Sequence, residues 1–86
     1  MHSENTFEEN SYEDLFYNRL TQLRSAKKVS ARDMSLSIGQ NPGYINGLEN
    51  KKGLPSMTVF FYICDYLNVT PKEFFDLNNS RIFVRT

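Results

Sequence analysis

Few side chains in this sequence could carry out bond-making chemistry. His2 is the sole histidine and Cys64 the sole cysteine among the 86 residues, so a His/Cys metal site is not expected. The sequence contains neither a Ser–His–Asp grouping nor a glycine-rich loop of the kind that holds a phosphate. Because it offers no group of titratable residues for acid–base or nucleophilic catalysis, we expect no enzymatic activity, no cofactor and no metal.

The chemistry that remains is hydrogen bonding and charge, and it is concentrated between residues 30 and 52. Ser30 and Asn41 each precede a short segment with helical apolar spacing, which is where helix-capping side chains occur. The free N–H groups at such helix starts attract phosphate. Arg32, Lys51 and Lys52 add positive charge near the same segments. This combination indicates a surface that contacts phosphate groups.

The charge distribution supports this interpretation, although the formal net charge of the chain is zero. Residues 1–14 contain five acidic residues and no Lys or Arg, so the remainder holds ten basic and five acidic residues, a net of +5. We expect residues 1–12 to form an acidic, disordered tail in front of a basic body. No apolar run approaches the ~20 residues of a membrane span. The acidic N-terminus is unlike a signal peptide, and we expect a cytoplasmic location.

Apolar periodicity predicts an all-α fold of five helices. Ser56 and Thr70 are expected to cap the fourth and fifth helices, and Gly39 to end the second. The fourth helix is apolar nearly all round, which predicts a central, heavily packed element. We expect Phe74 and Phe75 of the last helix to fold back onto the core. The predicted helices cover about residues 13–27, 31–38, 42–50, 57–68 and 71–77, within one domain at 13–78 that is followed by a tail or short strand at 79–86.

The second and third helices have the arrangement of a helix-turn-helix motif, two short helices separated by a glycine-containing turn. Asn41 is predicted to cap the third helix with Pro42 at its first position, where the missing N–H of proline costs nothing. Counted from Ala31, the motif needs a small residue at position five, Gly at nine, and apolar residues at four, eight, ten, fifteen and eighteen. The residues at these positions are Ser35, Gly39, Met34, Ile38, Gln40, Ile45 and Leu48, of which all but Gln40 fit.

These residues and their flanks resemble the Cro/repressor-type, or XRE-like, helix-turn-helix family. The likeness covers about residues 15–75, because RLTQLRSAKKVSARDMS is similar to the family's first helix and LPSMTVFFYICDYLNVTPKEFF to its closing helix pair. The resemblance implies a compact five-helix lambda-repressor-like DNA-binding domain. In this geometry the recognition helix, residues 42–50, lies in the major groove, and the helix at 31–38 crosses the DNA backbone.

The resemblance implies two sets of DNA-contacting residues. The outward positions of the recognition helix are Pro42, Gly43, Tyr44, Asn46 and Gly47. Asn46 could pair with adenine, and Tyr44 could offer its hydroxyl to a phosphate and its ring to a thymine methyl. The other three have no side-chain donor or acceptor, so we expect little direct base readout. The residues expected to contact or face the DNA backbone are Arg19, Ser30, Arg32, Asn41, Asn50, Lys51 and Lys52.

One pair of charged residues is expected to have a structural role. In the family, an arginine late in the first helix often pairs with the glutamate that ends the recognition helix. Arg24 and Glu49 match these two positions. The resemblance therefore implies an ion pair that ties the two helices together.

The sequence as a whole predicts a transcriptional regulator that binds double-stranded DNA with specific or weakly specific readout. We expect it to bind as a homodimer formed through the last helix and residues 80–86. The alternative is a helix-turn-helix scaffold used for protein–protein interaction, as in an accessory or antitoxin-like factor. Three features favour that alternative: the zero net charge, the acidic tail, and the lack of side-chain hydrogen-bonding groups at the outward positions Pro42, Gly43 and Gly47.

Overall fold

A computed structural model of the protein describes residues 11–76, which form five α-helices and no strand. The predicted all-α architecture is confirmed. The predictions for residues 1–10, and for the tail or short strand at 79–86, lie outside the described residues. None of the described helices is both long enough and apolar enough to cross a membrane. The helices are α1 (Tyr12–Lys27), α2 (Ala31–Ser37), α3 (Tyr44–Glu49), α4 (Met57–Leu67) and α5 (Pro71–Phe74).

Four of these helices begin at a side-chain cap. The hydroxyls of Ser11, Ser30, Ser56 and Thr70 accept the backbone N–H three residues later, at 3.2, 2.9, 3.1 and 3.0 Å. Each cap satisfies an N–H group that the helix start leaves unpaired and is worth about 1 kcal/mol. Glu73 completes a capping box, because its carboxylate accepts the N–H of Thr70 at 2.8 Å. The predicted caps at Ser30, Ser56 and Thr70 are confirmed.

Left-handed backbone conformations redirect the chain after each of the first four helices, including φ 64° at Lys51, two residues beyond α3. Lys28 ends α1 with φ 64° and Asn68 ends α4 with φ 60°. Gly39, just beyond α2, has φ 80°, a conformation that residues with a Cβ atom adopt at a cost. The prediction that Gly39 marks the end of the second helix is confirmed.

The core forms where α1, α4 and α5 meet and continues beneath α2 and α3. The rings of Phe16 and Phe74 stack with centroids 5.4 Å apart, and Phe60 meets Phe74 edge-on at 5.2 Å. Aromatic pairs in these geometries contribute beyond the burial of their area. The buried apolar side chains are Phe16, Tyr17, Leu20, Leu23, Met34, Ile38, Ile45, Leu48, Phe60, Ile63, Cys64, Leu67 and Phe74.

The prediction that the fourth helix is packed on nearly all sides was wrong. Its inward residues are buried, but Met57, Phe61 and Tyr62 are 65%, 49% and 49% exposed. The reason is geometric: α4 packs mainly against α1 and α5, and two helices cannot surround a third. Phe75 likewise stays 41% exposed, although its ring centroid lies 4.9 Å from that of Phe74. Only one of the two phenylalanines of the last helix therefore enters the core.

Arg19 has a structural role, and the prediction that it contacts DNA was wrong. Its side chain is 1% exposed. Nε donates to the carbonyl of Phe74, Nη2 donates to the carbonyl of Glu73 at 2.9 Å, and Nη1 donates to Gln22 Oε1 at 2.6 Å. Burial lowers the pKa of Arg19, while the negative charge of Asp76 opposes this effect. The guanidinium thus satisfies carbonyls at the end of α5 and joins that helix to α1.

Replacing Arg19 with Met should reduce the free energy of unfolding by about 2–4 kcal/mol. The substitution keeps most of the side-chain volume but leaves two carbonyls at the end of α5 without their donor. Urea denaturation of the full chain measures the change. The control is Arg32→Ala, which removes the same charge from an exposed position and should alter stability by under ~0.5 kcal/mol. Equal losses for both variants would contradict the assigned role.

Candidate nucleic-acid interface

A buried serine sets the position of α3 relative to α2. Ser35 is fully buried, its Oγ donates to the carbonyl of Ala31 at 2.8 Å, and it accepts the N–H of Ile45 at 2.9 Å. The second bond satisfies one of the N–H groups that the first turn of α3 leaves unpaired. Ser35 is position five of the helix-turn-helix pattern, where the sequence predicts a small residue. The hydrogen bond to the next helix was not predicted, because it depends on how the two helices pack.

The recognition helix is shorter than predicted: it covers Tyr44–Glu49 instead of residues 42–50. Asn41 Oδ1 accepts the N–H of Gly43 at 3.0 Å, and the N–H of Tyr44 donates to the carbonyl of Asn41 at 3.1 Å. Asn41 therefore forms a tight turn over residues 41–44 and uses its side chain there, before α3 begins. Gly43 occupies the cap position without a side-chain hydrogen bond, so the predicted cap at Asn41 was wrong.

The outward face of α3 and its flanks presents mostly small or apolar groups. Asn46 and Asn50 are exposed amides, and Gly47 is partly exposed. Tyr44 is partly buried, with its ring packed against the core. Burial raises the pKa of Tyr44, which keeps its hydroxyl neutral and able to donate a hydrogen bond. Among the polar side chains within α3, Asn46 is the exposed one.

Two glycines on this surface are not required by the fold. Gly43 has φ −93°, which any residue can adopt, and a Cβ there would lie 3.7 Å from Asn41 Oδ1 in ordinary contact. A Cβ on Gly47 would meet nothing within 4 Å. By contrast, Gly39 and Gly53 have φ values of 80° and 96°. The glycine inside α3 therefore lowers helix stability without a packing reason.

Basic residues lie before and after α3 in the chain. Arg32 is exposed in the first turn of α2, and Lys51 and Lys52 are exposed directly beyond α3. Lys51 Nζ lies 3.0 Å from Asp14 Oδ1, with the lysine side chain 60% exposed. An exposed pair of this kind is worth at most about 1 kcal/mol. It therefore does not prevent Lys51 from meeting a phosphate.

Arg24 and Glu49 form the ion pair that the family resemblance implied. Arg24 Nε lies 2.6 Å from Glu49 Oε2, and Nη2 lies 3.0 Å from Oε1, so the contact is bidentate. Nη1 donates to the carbonyl of Val29 at 2.8 Å. The hydrogen bond with Glu49 raises the pKa of Arg24, against the smaller, opposite effect of burial. One guanidinium thus connects α1, the loop before α2 and the end of α3.

Of the twelve residues predicted to face DNA, the structure buries only Arg19 and leaves the others at least partly accessible. The accessible residues of the predicted site are Ser30, Arg32, Asn41, Pro42, Gly43, Tyr44, Asn46, Gly47, Asn50, Lys51 and Lys52.

Among residues 11–76, no cluster of His, Cys, Asp and Glu could hold a metal ion.

The fold and this site define a lambda-repressor-like helix-turn-helix domain. A family model described as Helix-turn-helix, of the XRE type, matches residues 20–74. The chain belongs to this family, whose members are in general DNA-binding transcriptional regulators and typically not enzymes. No curated protein and no solved structure matches the chain.

Replacing Glu49 with Gln should lower the free energy of unfolding by about 1–3 kcal/mol. The amide keeps the size of the side chain but leaves the partly buried charge of Arg24 without its counter-charge. Chemical denaturation measures the loss. Asp14→Asn is the matched control, because it breaks an exposed ion pair with Lys51 and should cost under about 1 kcal/mol. A loss no larger than that of the control would argue against an anchoring role for Glu49.

Replacing Gly47 with Ala should raise the free energy of unfolding by about 0.5–1 kcal/mol. The new methyl group enters open space, and alanine restricts the unfolded chain while favouring the helix. Thermal unfolding followed by circular dichroism measures the change. In the control, Gly39→Ala, the same methyl group is added where the backbone is left-handed, with φ 80°. Because a residue with a Cβ atom is strained there, the melting temperature should fall. A lower melting temperature for Gly47→Ala would reveal a packing constraint at α3.

Proposed function

We propose that this protein regulates transcription by binding double-stranded DNA through α2, α3 and the two lysines that follow α3. The observation that carries the proposal is that different residues of α3 and its flanks hold the helix in place and face the solvent. The inward side chains and Glu49 anchor the helix, while Asn46, Lys52 and the neighbouring outward residues are left exposed. Family membership supports the same conclusion.

In the proposed complex, α3 lies in the major groove and α2 crosses the DNA backbone. Asn46 reads an adenine through its amide. Tyr44 offers its hydroxyl to a phosphate at the edge of the groove. Because Pro42, Gly43 and Gly47 have no side-chain hydrogen-bonding groups, most of the affinity comes from phosphate contacts and DNA shape. The proposed phosphate contacts are Ser30, Arg32, Asn41, Asn50, Lys51 and Lys52.

The protein acts as a homodimer in this proposal. Two copies present their recognition helices about 34 Å apart, so that they enter successive major grooves on one side of the duplex. A dimer also compensates for weak readout by each copy, because two linked contacts bind far more tightly than one. A regulator of this kind needs access to the chromosome, and the cytoplasmic location expected from the sequence is consistent with that need.

The second candidate function is a helix-turn-helix scaffold that binds another protein. It is favoured by the three outward positions without side-chain donors or acceptors and by the exposed aromatic rings of Phe61 and Tyr62 on α4. An electrophoretic shift with random duplex at low salt separates the two candidates. A salt-sensitive shift supports DNA binding, and no shift at micromolar protein supports a protein partner. Selection of bound duplexes from a random pool then reports whether any base sequence is preferred.

The double variant Lys51→Ala/Lys52→Ala should flatten the salt dependence of DNA binding. Each lost phosphate contact reduces the slope of log K against log salt by about 0.9, so the double variant should lower it by about 2. The control is Lys27→Ala/Lys72→Ala, which removes the same charge from positions outside the proposed surface. Fluorescence anisotropy at several salt concentrations measures the slopes. If both variants change the slope equally, the lysines act through net charge alone.

A further inference from the structure

An apolar groove lies on the protein between the start of α1, the segment before α4 and the end of α5. It encloses about 260 Å³. Phe16 and Phe60, both buried, form its floor. Its walls are Tyr12, Leu54, Met57 and Phe75, which are 87%, 51%, 65% and 41% exposed.

This concentration of exposed apolar side chains is unusual for the surface of a small domain. The described residues include seven large hydrophobic side chains that are exposed, and four of them line this one groove. Contiguous apolar surface of this kind marks an interaction site more often than chance exposure. None of the residues proposed to contact DNA lines the groove, so an occupant would leave the DNA-binding surface accessible.

The chain itself contains a segment of matching chemistry close to the groove. Phe75 lines the groove, and the sequence continues beyond Asp76 as LNNSRIFVRT. Residues 82–84 are Ile-Phe-Val, with an arginine on each side. Residues 77–81 span roughly 16 Å when extended, enough to carry this apolar triplet away from its own α5. Glu13 supplies a negative charge on the groove wall for a flanking arginine.

We propose that residues 81–85 of each copy bind in the groove of the second copy, so that two protomers exchange their C-terminal segments. In the proposed exchange the segment is extended, and alternate side chains of an extended segment point in opposite directions, so that Ile82 and Val84 would face one side and Phe83 the other. A groove in its own chain would cover one of these sides. In the proposed two-fold exchange, the groove of the second copy covers Ile82 and Val84, and the protomer that supplies the segment covers Phe83.

Reciprocal exchange also doubles the area that one segment in one groove would bury. Each copy contributes both a groove and a segment, so every contact occurs twice under two-fold symmetry. Stable interfaces bury about 800 Å² on each partner, more than a three-residue segment buries in a single groove. This inference rests on the proposed homodimer and assigns its interface to the groove, with the DNA-binding surface on separate residues.

Disulfide trapping in the full chain tests the exchange. The double variant Met57→Cys/Val84→Cys, oxidised with copper phenanthroline, should form mainly a covalent dimer on a non-reducing gel. The control Thr58→Cys/Val84→Cys uses the next residue of α4, which is exposed and does not line the groove, and should link at least five-fold less. Cys64 stays in place, because it is buried and burial raises the pKa of its thiol to about 11. A link within one chain, or equal linking in the control, overturns the proposal.

A second measurement separates this interface from DNA binding. Met57→Asp introduces a charge at an exposed groove position and should raise the dimer dissociation constant at least ten-fold in sedimentation equilibrium, whereas Thr58→Asp should leave it unchanged. A dimer that Met57→Asp does not weaken, or a wild-type chain that is monomeric, overturns the exchange. The gel shift with random duplex is scored independently, so DNA binding can persist when the exchange fails and can be absent when the exchange holds.

Discussion

The bidentate contact between Arg24 and Glu49 is the interaction on which the helix-turn-helix half of the molecule depends. The helix that it anchors, α3, is six residues long and contains a glycine, so its own propensity cannot keep it folded. The same guanidinium also binds the carbonyl of Val29, at the turn that leads into α2. Both helices of the motif are therefore positioned from one point on α1.

A second arginine on α1 performs the equivalent task for α5. Arg19 binds the last carbonyls of α5, while Arg24 binds the last residue of α3. The shortest helices thus receive their support from side chains of the longest one. Ser35 adds a third such connection, because its hydroxyl links α2 to the first turn of α3. With positioning assigned to these buried or partly buried groups, Asn46 is left exposed on the outward side of α3.

The molecule consequently has two accessible surfaces of different character. The one around α3 presents small groups, the exposed amides of Asn46 and Asn50 and the basic residues that follow the helix, with two glycines where side chains could be accommodated. The groove between α1, α4 and α5 is apolar and recessed. In the proposed complex the first surface meets the phosphates and the shape of a duplex, and an apolar recess suits a protein segment. Different helices build the two surfaces, which allows both to be occupied at once.

The sequence by itself determined the number and order of the helices, because apolar spacing and capping residues such as Ser30 and Thr70 act locally. The family pattern located the ion pair of Arg24 and Glu49. Only the tertiary structure decided how each side chain is used. Arg19 and Arg32 are both arginines on amphipathic helices, yet one is buried against α5 and the other is exposed. The start of α3 was decided by the turn that Asn41 forms when its side chain and its carbonyl accept the N–H groups of Gly43 and Tyr44. The exposed side of α4 was decided by the number of neighbouring helices. The different uses of the two arginines and the exposure of α4 depend on contacts between distant residues, which local spacing does not encode.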